Sequence, residues 1–125
     1  MKHTVDVNIH DEICTIKVTG VHNRPEDSYK LLAIAGQVSK ENGCSSFIFD
    51  MQEAKIISTT MSAALETVLK PEKYGVSNQF QIAVVYQKIQ KDHLFMESVG
   101  ASRGARAFKI FDNLEKAQNW ISARN

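Results

Sequence analysis

The stretch FQIAVVYQ, residues 80–87, is the longest apolar run in the chain, and its reading decides the fold. A continuous apolar run bounded by polar residues suits a strand covered on both faces, as in a parallel sheet packed between helices. Phe47-Ile48-Phe49 repeats the pattern on a shorter scale and predicts another buried, central strand. Between these two runs, Met61, Ala64, Leu65, Val68 and Leu69 recur at helical spacing, and Pro71 and Gly75 end the helix they mark.

Outward from this centre the pattern continues. KDHLFMESVGASRG, residues 91–104, predicts a helix stopping near Gly104, and ARAFKIF, residues 105–111, a more polar strand at a sheet edge. Leu114, Ala117, Trp120 and Ile121 line a closing helix whose N-cap is Asp112 or Asn113. Toward the N-terminus, Val5, Val7 and Ile9 alternate with polar residues, and Cys14, Ile16 and Val18 do the same after a turn at residues 10–12. Two half-buried strands in a hairpin follow, the second ending at Gly20. Pro25 suits a first helical turn, Leu31, Leu32, Ile34, Ala35 and Val38 form an apolar stripe, and Asn42-Gly43 supplies a left-handed stop. The expected order is ββαβαβαβα, an α/β fold with a mostly parallel sheet, an N-terminal hairpin and covering helices, in a single domain over residues 1–125.

Composition narrows the function. Apolar residues at 43% and charged residues at 23% are those of an ordinary globular chain. A net charge of +1 provides no field to draw nucleic acid, so no nucleic-acid partner is expected. Cys14 and Cys44 have no second Cys or His at zinc-ligand spacing and read as buried thiols, so no metal and no cofactor are expected. MKHTVDVNIH lacks an apolar leader, and no apolar run reaches the roughly 18 residues of a transmembrane segment, which points to a reduced, cytoplasmic setting.

The stretch most open to a functional reading is FDMQEAKIISTTMSAALE, residues 49–66. It leaves a strand through Asp50 and enters a helix through Ser58, Thr59 and Thr60. In a parallel sheet, ligands and partners meet the loops at the carboxyl ends of the strands, where helix N-termini present free N–H groups. One hydroxyl suffices to cap the helix, and three exceed that need. The surplus could donate to a partner, or one could carry phosphate. HNRPED, residues 22–27, reads as a turn with Asn23 or Asp27 accepting N–H bonds, and places His22, Asn23 and Arg24 on the same side of the sheet if the second and third strands run parallel.

Other constellations are weaker. Asp50, Ser58 and His93 lack the Gly-x-Ser-x-Gly elbow of a nucleophile, so a triad is not expected and the chain is not read as an enzyme. Gly100 and Gly104 come at a helix end before a strand, the reverse of a dinucleotide loop, and Arg103 and Arg106 read as solvated charges. Phe95, Met96 and Trp120 fit the apolar stripes of their helices.

The element order, the strand ending in Asp50 and the hydroxyl-led helix after it resemble the STAS, or SpoIIAA-like, domain of anti-sigma factor antagonists. FQIAVVYQ and SRGARAFKIFDNLEKAQNWI, residues 102–121, are similar to the SpoIIAA-like (STAS/SEC14-related) group of small bacterial proteins. The resemblance covers nearly the whole chain. It implies a regulatory, protein-binding module whose partner docks on the loop and N-terminus of the hydroxyl-led helix. The expected contact residues are Asp50, Ile56, Ile57, Ser58, Thr59, Thr60, Met61, His22, Asn23 and Arg24, with Thr60 as the candidate phosphorylation position. The antagonist motif Asp-Ser-Ser-Gly is replaced by Ser58-Thr59-Thr60-Met61, a change that bears on phosphorylation more than on partner binding. A homodimer through the same apolar rim is compatible with this reading. The alternative, from the SEC14-related part of the resemblance, is a carrier of a small apolar or lipid-like ligand in a cavity under the helices.

Overall fold

In a computed structural model, described over residues 3–23, 26–57, 80–88 and 107–124, the chain forms a five-stranded sheet in the order β1-β2-β3-β4-β5. The strands are β1 (Thr4–His10), β2 (Ile13–Asn23), β3 (Ser46–Ile57), β4 (Gln81–Val85) and β5 (Ala107–Phe111). The helices among the described residues are α1 (Glu26–Asn42) and α2 (Leu114–Arg124). Among the described residues only the β1–β2 hairpin is antiparallel, and the other neighbouring pairs are parallel. This is the α/β arrangement expected, with β3 at the centre and β5 at an edge. The helices expected at residues 61–69 and 91–104 lie outside the described residues.

Period-two alternation divides the core into two layers. Phe47, Phe49, Ile82, Val84 and Ile110 point to one face, where they join Cys14, Ile16 and Val18 beneath Leu31, Leu32 and Ala35 of α1. Ile48, Ala83, Val85 and Phe111 point to the other and pack against Ala117 and Ile121 of α2. Both faces are therefore dry, which is why these strands read as continuous apolar runs. Phe47 and Phe80 stack with ring centroids 5.1 Å apart, and Phe111 meets Trp120 at 5.6 Å. Cys14 and Cys44 are both free, buried thiols, and burial beside Cys44 pushes the Cys14 thiol up to about 11.

The ends of the elements follow local chemistry. Gly43 takes φ +73° and donates its N–H to the Ser39 carbonyl at 2.8 Å, the left-handed stop of α1. Asn113 caps α2, its Oδ1 accepting the Lys116 N–H at 3.1 Å. Asp11 and Glu12 both take positive φ in the two-residue hairpin turn, where Asn-Gly is the usual choice.

Two expectations for the hairpin are corrected. Gly20 does not end β2 but sits inside it at φ 87°, a conformation open to glycine in a strand that continues to Asn23. Nor is β1 half-buried along its length. Val5 packs on the core, whereas Val7 and Ile9 are 45% and 42% exposed because β1 is an outer strand. This layering sets a stability contrast. Phe47→Ala should cost about 3–5 kcal/mol in urea unfolding, whereas Val7→Ala should stay within about 0.5 kcal/mol of the parent.

Candidate functional site

β3 is longer than its sequence suggests. It pairs with β4 only as far as Asp50↔Val85, while its pairing with β2 continues to Asn23↔Ile57. Residues 51–57 thus form a ribbon with β2 that runs on past the end of β4 by about 20 Å, at 3.3 Å per residue. Asp50 does not close the strand at the rim, as expected, but lies mid-strand and is 6% exposed.

The register changes where the ribbon begins. Lys17 pairs with Asp50 and Thr19 with Glu53, so Met51 and Gln52 together oppose Val18. This is a one-residue bulge in β3, which disrupts the ladder locally and leaves a backbone group to be satisfied. The Asp50 carboxylate accepts the Gln52 N–H at 3.2 Å and so serves the bulge directly. The extra residue also inverts the facing of everything after it. Phe47, Phe49 and Met51 point to the α1 layer before the bulge, and Ala54 and Ile56 do so after it. Glu53, Lys55 and Ile57 therefore turn outward; Glu53 meets Lys17 at 2.6 Å, and Ile57 is 41% exposed.

Beside Ile56 and Ile57 lie their partners His22 and Asn23. Placing residues 22 and 23 on the same rim as 56 and 57 is what the parallel pairing required. The side chain of His22, however, is 1% exposed rather than presented for contact. Its Nε2 lies 2.9 Å from Ser28 Oγ in the first turns of α1, and its Nδ1 lies 3.2 Å from His3 Nε2, just ahead of β1. Asp27, in the first turn of α1, accepts the Asn23 N–H at 2.7 Å, tying the end of β2 to the start of the helix. Lys30 Nζ approaches the same carboxylate at 3.4 Å. Burial, the largest single influence, pushes the Asp27 carboxyl up, but the Asn23 N–H, His3, Lys30 and His22 together outweigh it, and the carboxyl lies below its ordinary value.

Of the residues expected at a partner surface, the structure brings together His22, Asn23, Ile56 and Ile57. Asn23 and Ile57 are exposed, Ile56 is half-buried against the core, and His22 faces inward. Arg24, Ser58, Thr59, Thr60 and Met61 lie outside the described residues, as does His93. So do the helices under which a ligand-carrying cavity was expected.

His3 and Ser28 are not among the residues expected at a site, and Asp27 is expected only as a turn acceptor. His3, His22 and Asp27 form a group that could hold a metal, one ligand atom of each lying within 4.8 Å of the others. The expectation of no metal rests on cysteine spacing, which does not bear on this group. A signal was present: with Thr4 opposite Thr19, the hairpin register carries His3 opposite Gly20 and diagonal to His22.

No family model matches the chain, and no curated protein matches it. Solved structures do. An anti-sigma factor antagonist from Mycobacterium paratuberculosis has a TM-score of 0.64 at 13% identity, over 97% of this chain and 95% of that one. The anti-sigma factor antagonist SpoIIAA in its unphosphorylated form has a TM-score of 0.61 at 9% identity, over 97% and 98%. An uncharacterised protein with a SpoIIAA-like fold from Shewanella loihica PV-4 has a TM-score of 0.51 at 20% identity, over 97% and 96%. The fold is therefore the SpoIIAA-like, STAS-type fold, as the sequence resemblance implied.

The bulge bond gives the site its own test. Asp50→Ala should cost roughly 1 kcal/mol in chemical unfolding by leaving a part-buried N–H without its acceptor. Asp50→Asn, which keeps an acceptor oxygen, should recover most of that loss.

Proposed function

We propose that this chain is a non-enzymatic regulatory module that docks a protein partner on the rim where β2 and β3 end. The observation that carries this reading is the pairing of Asn23 with Ile57 at the tip of the projecting ribbon, where Ile57 is an exposed large apolar side chain. Likeness in fold to anti-sigma factor antagonists supports it. Ser58, Thr59, Thr60 and Met61 follow Ile57 directly in sequence, and Arg24 follows Asn23, so the contact surface extends into both segments.

The division of labour follows from burial at His22, Asn23, Asp50 and Ile57, and from residue type at Arg24 and residues 58–61. Ile57 and Met61 supply apolar area, which provides most of the affinity when a partner excludes water from it. Asn23, Arg24 and the three hydroxyls set orientation. His22 and Asp50 act from within, the first by anchoring the end of β2 to α1 and the second by holding the bulge that turns Ile57 outward. Phosphate on Thr60, three residues along the chain from Ile57, would add a charge of about −1.5 to −2 to the docking segment and so act as a switch on docking.

The test is retention of the native partner. The chain is purified from its own cells with its bound protein, and the complex is re-formed with variants. Ile57→Asp and Thr60→Asp should each weaken association by at least about tenfold, equivalent to about 1.4 kcal/mol, while Val7→Asp on the far edge strand leaves it unchanged. Loss on Val7→Asp with full binding by Ile57→Asp would move the interface to β1 and reject this reading.

A further inference from the structure

We propose that His3, His22 and Asp27 form a binding site for one divalent first-row transition-metal cation, of which zinc is the type. The site does not depend on the docking reading. Its donors converge from three segments: the residue ahead of β1, the penultimate residue of β2 and the first turn of α1. Convergence of two imidazoles and a carboxylate from separate elements is the way proteins assemble such centres, with water or a further ligand in the remaining position.

The distances fit. One donor atom of each residue lies within 4.8 Å of the other two, and His3 Nε2 is 3.2 Å from His22 Nδ1. Ligand nitrogens about 2.0–2.1 Å from a tetrahedral ion stand about 3.3–3.4 Å apart, so the two rings are already at the required separation. In the metal-free protein the two nitrogens share one hydrogen across that spacing. On binding, the cation takes the place of that hydrogen, which puts the ring protons on His3 Nδ1 and His22 Nε2.

The surroundings orient the donors. With its proton on Nε2, His22 would donate to Ser28 Oγ, 2.9 Å away, and turn Nδ1 toward the ion, the outer-shell arrangement of metal-binding histidines. Asp27 Oδ2 is held by the Asn23 N–H at 2.7 Å, which sets the carboxylate plane. Its Oδ1 faces Lys30, whose side chain is 70% exposed and free to swing into water as the cation enters. His22 and Asp27 are 1% and 7% exposed, so the attraction between cation and carboxylate is little screened. Two nitrogen donors disfavour calcium and magnesium, which take oxygen shells, and favour zinc, cobalt, nickel or copper.

The test uses the full-length, untagged chain freed of metal by a chelator. Calorimetric titration with Zn2+ should show one equivalent bound, and Co2+ should give the visible spectrum of a nitrogen- and oxygen-ligated ion. His3→Gln and Asp27→Asn should each remove the one-equivalent binding, and Ser28→Ala should weaken it by about 10- to 100-fold. His10→Gln, on the exposed hairpin turn, should leave it intact. Because His22 is buried and its replacement could unfold the chain, the deciding variant is His3→Gln, with circular dichroism verifying the fold. The proposal is overturned if the parent chain binds no stoichiometric Zn2+ or if His3→Gln retains full affinity. A sulfur-to-cobalt charge-transfer band would also overturn it by assigning the ion to Cys14 or Cys44.

Discussion

The parallel hydrogen-bond ladder between β2 and β3, with its single extra residue opposite Val18, is the constraint on which the rest of the molecule depends. Below the bulge the ladder builds the sheet that α1 and α2 cover, and Phe47, Ile48 and Phe49 send side chains alternately into the two layers. Above it the same two strands leave β4 behind and run on as a ribbon. A shift of one residue sends every later side chain to the opposite face. Without the bulge, Ile57 would point toward the α1 layer and Ile56 outward. With it, Ile56 closes the edge of the core and Ile57 meets solvent.

The polar residues around this ribbon are structural before they are anything else. Asp50 gives its oxygen to the backbone of Gln52, and Asp27 gives one to the backbone of Asn23. His22 is locked between Ser28 and His3. Each bond secures one junction: strand to bulge, strand to helix, or the chain ahead of β1 to the end of β2. A rim held this firmly from inside can present Asn23 and Ile57 at a defined spacing, which lowers the ordering cost a partner would otherwise bear.

Much of this was legible in the sequence, and the reasons for the exceptions are physical. The buried strands were plain because both of their faces are covered, so FQIAVVYQ and Phe47-Ile48-Phe49 carry no polar interruption. The stop at Gly43 and the cap at Asn113 were readable because each rests on local chemistry. MQEAKII, residues 51–57, does not read as a strand because Glu53 and Lys55 lie on its exposed face and the bulge breaks the alternation that would mark one. Gly20 looked like a strand end because glycine usually punctuates, whereas here it takes a positive φ within the strand. The rim was legible in outline, since parallel pairing of the second and third strands already placed residues 22–23 near 56–57. Burial of His22 was not, for it depends on Ser28 and His3, which only the folded hairpin and helix bring to it.

Backbone nuclear Overhauser contacts across β2 and β3 test the bulged ladder most directly. The account predicts contacts that pair Lys17 with Asp50, then skip one residue and pair Thr19 with Glu53, continuing to Asn23 with Ile57. An unbroken register, with Thr19 opposite Gln52 and Asn23 opposite Ile56, would contradict it, because the outward face of the ribbon would then carry a different set of side chains.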